Sequence, residues 1–198
     1  MRKKFLFLWM MVLLFAFSKD ADAVYFFLSD EQIKEAIEYG EKNKDLDYIS
    51  FFSDWVNVSN DGYEWAALNT KFSLLAYEAR EAALAAGKLT EAQIYQSISE
   101  MEDILSFRVV LYGNSPDFAR DYRAILLYKN KPIQPVNEQN DTHAKPANIG
   151  IRIPTTYRAT CRYDFPNYYI EPDEEVTLII LSTLNKERSF VFNLKEMR

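Results

Sequence analysis

The only histidine in the chain, His143, stands in a polar segment close to Asp141 and Glu138. An imidazole beside a carboxylate is the start of a nucleophile and base relay, or of a zinc site. The sequence completes neither. It contains no Gly-x-Ser-x-Gly elbow to present a nucleophile to that base. Zinc would need several His or Cys ligands, and the chain has one of each, His143 and Cys161, far apart. His143 therefore reads as a solvated loop residue. Cys161 falls on the inward side of an alternating stretch, and burial would leave its thiol inert.

Carboxylates are the next candidates. The run Asp173-Glu174-Glu175, with Glu171 and Asp164, has oxygen donors for calcium, and a pair of carboxylates across a cleft would hydrolyse a glycoside. The run lacks EF-hand spacing and the glycine at its turn, which makes a solvated acidic loop the expectation. Five glycines in the whole chain leave little room for a phosphate-cradling loop or a dinucleotide fingerprint. No catalytic, cofactor-binding or metal-ligating residue is assigned on these grounds, and no cofactor is expected.

Four arginines remain. Arg108, Arg123, Arg158 and Arg162 all fall in strand-like stretches and are expected to point to a common outer face. Guanidinium forks suit carboxylates, so these four form the candidate surface for a ligand or partner, an acidic polymer or protein. The competing use is pairing with local Asp and Glu across strands.

The elements that must position these groups divide in two. Ser29-Asp30-Glu31-Gln32 is a capping box, and Ile33, Ala36 and Ile37 share one face of the helix it opens, with Gly40 as its expected end. Residues 45–61 carry Tyr48, Phe51, Phe52, Trp55, Val56 and Val58 in irregular helix and loop. These are expected to close a core, because aromatic side chains bury large areas. Over residues 64–86, Trp65, Leu68, Phe72, Leu75, Ala79, Ala82 and Ala86 recur at alternating spacings of three and four, which predicts one long helix ended by a left-handed Gly87. Thr90-Glu91-Ala92-Gln93 then starts a helix with Ile94, Ile98, Met101 and Leu105 on its apolar face. So short a connection predicts an antiparallel helical hairpin.

At Phe107 the period changes from 3.6 to 2. Phe107, Val109 and Leu111 alternate, as do Tyr122, Ala124, Leu126 and Tyr128, and the two strands are expected to pair across Gly113-Asn114-Ser115-Pro116. Residues 131–148 hold three prolines and several amides, so they predict a long loop or an excursion along a sheet edge. Residues 149–153 read as a short strand. Tyr157, Ala159, Cys161 and Tyr163 face inward and Arg158, Thr160 and Arg162 outward. Residues 176–181 are apolar on both faces and predict a central strand. A turn near Asn185 and Lys186 leads to a last strand with Phe190, Phe192 and Leu194 inward. The fold class is α+β, an N-terminal α-helical hairpin region (24–106) packed as one body with a C-terminal antiparallel β-sandwich region (107–198).

The first 23 residues read as a signal peptide. Arg2, Lys3 and Lys4 precede an apolar stretch over residues 5–17, and Ala21 and Ala23 supply the small side chains that signal peptidase recognises. That stretch would rise about 20 Å as a helix, short of a hydrocarbon core of about 30 Å, so stable membrane insertion after cleavage is not expected. Removing residues 1–23 takes four basic and two acidic residues from totals of 23 and 29, leaving a net charge of −8. Such a surface repels phosphate backbones and argues against nucleic acid as a partner. A single cysteine fits a periplasmic or secreted bacterial protein better than a disulfide-built eukaryotic one. These features imply an exported, non-enzymatic binding or structural protein of the bacterial cell envelope, with an envelope protein or polysaccharide as partner. The alternative is a carboxylate-based hydrolase acting on envelope or extracellular polysaccharide.

Overall fold

The computed structural model describes residues 24, 26–59, 62–147, 157–184 and 186–198. The signal-peptide reading of 1–23, the strand expected at 149–153 and Asn185 of the last turn lie outside the described residues.

Helix α1 spans Asp30–Lys42, and its capping box forms as expected. The Ser29 hydroxyl accepts from the Gln32 backbone at 3.3 Å, while the Gln32 side chain accepts from the Ser29 backbone at 2.8 Å. Two backbone donors that the first turn cannot satisfy thereby find partners. Gly40 does not end this helix. It lies buried within it, where an added Cβ would stand 2.1 Å from the Ala76 carbonyl oxygen and 2.9 Å from the Ala79 Cβ. The residue is there to let two helix backbones touch. A one-turn helix α2, Tyr48–Phe51, follows, capped by the Asp47 side chain.

The long helix expected over 64–86 is two elements. Strands β1 (Val56–Val58) and β2 (Trp65–Asn69) pair antiparallel, and helix α3 runs only from Lys71–Leu84. Trp65 and Leu68 fit a three-four stripe, but three residues apart on a strand they face opposite sides. Thr70 is the true start of the helix, exchanging hydrogen bonds with Ser73 in a reciprocal box. Strands on both sides of β2 supply ladder partners, and those outweigh its local helical pattern. At the other end the left-handed residue is Ala86, φ 57°, rather than Gly87. Gly87 N–H bonds to the Ala82 carbonyl at 2.8 Å and Ala86 N–H to that of Ala83 at 3.1 Å, a Schellman closure with alanine at its strained position. Helix α4, Glu91–Glu100, begins at the expected Thr90 box and meets α3 where the Ser97 hydroxyl donates to Glu78.

The remaining strands are β3 (Ile104–Gly113), β4 (Arg123–Tyr128), β5 (Lys131–Ile133), β6 (Asn137–Gln139), β7 (Lys145–Pro146), β8 (Tyr157–Pro166), β9 (Glu175–Leu181) and β10 (Glu187–Asn193). They build two antiparallel sheets. One has the order β1-β2-β3-β8-β6, with β7 also on β8, and the other the order β10-β9-β4-β5. The expected β3–β4 pair does not form, because the chain crosses between sheets over residues 114–122. Alternation shows which side chains point inward, but both sheets point inward to one core. Phe118 packs at the crossing against Gly113, where a Cβ would stand 2.1 Å from the Phe118 ring. Strand β9 is central, as expected, and the 131–147 segment first pairs with β4 as β5 and then follows the β8 edge through β6 and β7. The region read as helical thus donates β1, β2 and the start of β3 to the sandwich.

Phe107 and Phe192 meet across the two sheets with ring centroids 5.1 Å apart. The aromatic cluster closes the helical side of the same core: Phe51 and Trp55 are fully buried, and Trp55 packs on Phe72 with centroids 6.1 Å apart. Burial of each such ring contributes about 1.5–3 kcal/mol.

Candidate functional site

The outer face of the β3–β8 pair carries an arrangement that stability alone does not favour. Register places Arg108 directly opposite Arg162, Val110 opposite Thr160 and Tyr112 opposite Arg158. On the other side of β8, Lys145 lies opposite Arg158 and Gln139 opposite Arg162. Three of the four arginines singled out by pattern therefore share one face, and Lys145 joins them. Two pairs of like charges stand cross-strand, an arrangement that is destabilising unless compensated.

Compensation is partial. Arg162 donates to Asp164 at 2.8 Å, and that buried carboxylate also accepts from Asn137 at 2.8 Å. Arg108 is held instead by an aromatic ring, its guanidinium 5.5 Å from the centre of Tyr48. Burial pushes the Tyr48 phenol above its ordinary pKa, against the lowering effect of Arg108. Among the described residues, neither Arg108 nor Arg158 has an ion-pair partner. Arg123 departs from the expectation. It opens β4 in the other sheet, is highly exposed and stands 4.0 Å from Glu138. The expected common face holds three arginines, and local carboxylate pairing accounts for Arg123 and Arg162.

A surface depression of about 620 Å³ lies against this face, bordered by Arg108, Arg162, Gln139, Asn140, Asp141 and Thr160. The loop that walls it is tied in place. The Asn140 amide donates to the carbonyls of Tyr122 and Arg120 at 2.7 and 3.1 Å, and its oxygen accepts from the Tyr163 hydroxyl at 2.7 Å. Asp141 accepts from the backbones of His143 and Thr160 at 3.0 and 3.2 Å, which places one negative group at the rim. The depression can hold a carboxylate in a guanidinium fork, with amide and hydroxyl groups at its sides. Lys145 and Asn140 were missed in the sequence because nothing local marks them. Only the register of β7 brings Lys145 to this face, and only the turn after β6 brings Asn140 to the depression.

The other candidates disperse. His143 is exposed, with Nδ1 3.0 Å from the Thr142 hydroxyl. Cys161 faces the core at 1% exposure, and burial raises its thiol pKa, so the inward reading holds. Glu174 pairs with Lys129 at 2.9 Å and Asp164 with Arg162. No cluster of three or more His, Cys, Asp or Glu is placed to hold a metal ion among the described residues. A groove of about 370 Å³ between α3 and α4 gathers Glu78, Glu81 and Glu100, but among the described residues only one aromatic ring, Tyr77, lines it. No helix among the described residues is long and apolar enough to cross a membrane.

The fold is thus an α+β sandwich with a helical layer, carrying a basic outer strip. The chain matches no protein-family model, and it shows no match to a curated protein.

Proposed function

We propose that this is an exported, non-enzymatic binding protein of the bacterial cell envelope, and that Arg108, Arg158, Arg162 and Lys145 hold an acidic segment of a partner protein. The observation that carries the reading is Arg108 opposite Arg162, two like charges of which only Arg162 has an ion-pair partner among the described residues. A chain of net charge −8 after loss of residues 1–23 keeps this cationic strip on three adjacent strands, β3, β8 and β7. An incoming carboxylate would supply the missing counter-charge. The export part of the proposal rests on the basic, apolar and small-residue pattern of residues 1–23.

The test uses poly-L-glutamate as a defined acidic probe, alongside a pull-down from envelope extract. Arg108→Glu with Arg162→Glu is expected to weaken poly-L-glutamate binding by at least about tenfold at low salt, and salt should weaken the wild type in the same direction. Arg123→Glu, on the other sheet, should leave binding unchanged. A partner recovered by the wild type and lost with the double reversal supports the proposal. Equal binding by all three proteins, or release of soluble sugar from purified cell-wall polysaccharide, overturns it. Arg108→Thr adds a stability check. Relieving the opposed charges should leave the melting temperature unchanged or slightly raised, by up to about 1 kcal/mol in stability.

A further inference from the structure

A second surface feature lies where the β5 edge of one sheet meets the end of β8 in the other, and none of the four arginines lines it. A cleft of about 750 Å³ opens between the β5–β6 connection and the turn after β8, within the size range of small-molecule sites. Tyr168 and Tyr169 stand beside it with ring centroids 4.1 Å apart and planes tilted 59°. Both are about two-thirds exposed, as is Val136 on the facing wall. Tyr128 lines the floor, and Lys131 and Gln134 bring polar groups to the same space.

We infer that this cleft binds an oligosaccharide through stacking on Tyr168 and Tyr169. Three observations select that ligand class. Among the described residues, the lining contains no carboxylate and a single cation, Lys131, so it suits an uncharged ligand. Apart from Lys131, its polar groups are phenols and an amide, which both donate and accept; sugar hydroxyls use both capacities, while the tertiary amides of a proline-rich peptide use only the donors. A peptide adding as a strand is disfavoured, because the bordering edge strand β5 has Pro132 at its centre, and Pro135 follows; neither has an N–H. The flat C–H faces of pyranose rings match exposed tyrosine rings that the fold itself leaves unburied. This site is independent of the arginine face.

The experiment titrates the protein with three uncharged tetrasaccharides, β-1,4-linked N-acetylglucosamine, β-1,4-linked glucose and α-1,4-linked glucose, by calorimetry and saturation-transfer NMR. A poly-L-proline decapeptide serves as the competing probe. At least one saccharide is expected to bind, with saturation transfer to its C–H protons. Tyr168→Ala and Tyr169→Ala should each weaken it about tenfold, and Gln134→Ala should weaken it without altering the aromatic wall. All three side chains lie at the surface, so the variants should fold with wild-type melting temperatures. Arg123→Glu, which lines neither surface, should bind sugar normally. Absence of binding by all three saccharides at millimolar concentration, binding of the proline peptide alone, or sugar binding indifferent to both tyrosines overturns the inference.

Discussion

Arg188 and Glu64 meet at 2.6 Å between the two sheets, each side chain only 11% exposed. Glu64 also accepts from the Tyr112 backbone at 3.1 Å, and the Arg188 guanidinium lies 5.4 Å from the centre of the Tyr122 ring. One buried carboxylate therefore ties β10 to β3 from the approach to β2. Arg188→Met would strand that charge away from water, at a cost of about 3–5 kcal/mol. Arg188→Met with Glu64→Gln should recover a large part of the loss. Urea denaturation of both variants decides the matter; equal destabilisation would show that packing, and not pairing, is what the arginine supplies.

Gly40 sits where α1 crosses α3, with no room for a methyl group against the Ala76 carbonyl. In an exposed helix, glycine to alanine stabilises by about 1 kcal/mol. Here Gly40→Ala should reverse that sign and destabilise by about 1–3 kcal/mol, since the helices must separate. Thermal melts set against the Glu38→Ala and Glu38→Gly pair, at an exposed site of α1, would expose the reversal.

Ala86 closes the Schellman motif at φ 57°, a conformation that costs a Cβ-bearing residue about 1–2 kcal/mol. Ala86 is exposed, so removing its methyl loses little packing. Ala86→Gly should raise stability by about 0.5–1 kcal/mol, whereas Gly87→Ala, at a position without positive φ, should change it little. Chemical denaturation midpoints of the two variants would separate them.

Burial raises the pKa of the Cys161 thiol, and it raises that of the Tyr163 phenol too, with Cys161 adding to the latter. Both groups are neutral in the folded protein and ionise more readily when unfolded. Their stabilising contribution is complete below the ordinary values of 9.0 and 10.0, and is lost as pH rises toward the folded pKa values. The melting temperature should be flat from about pH 6 to 8 and fall progressively above about 9. Cys161→Ala should delay the onset of that fall toward the tyrosine range. A thiol reagent should label Cys161 only after denaturant is added; prompt labelling of the native protein would contradict the inward placement.

Much of the architecture was legible from local chemistry. The boxes at Ser29 and Thr90 were visible because a capping side chain and its partner lie three residues apart. The inward set of β8 and the central position of β9 were visible because strand alternation and two-sided apolarity report burial directly. The segment 65–69 was misread for the same reason that such patterns work: a stripe spaced three and four is real on a helix and accidental on a strand, and only the ladders to β1 and β3 distinguish them.

What the amino-acid sequence determined by itself was which side chains seek the core and where several helices begin, since those preferences act within a few residues. It also determined that the arginines occupy strands. Tertiary structure alone decided that β3 and β4 belong to different sheets, that Gly40 serves a helix crossing, and that Arg108 lies against Arg162 while Arg123 does not join them. Those facts depend on register and sheet order, which contacts between residues distant in the chain settle, and no local pattern encodes them.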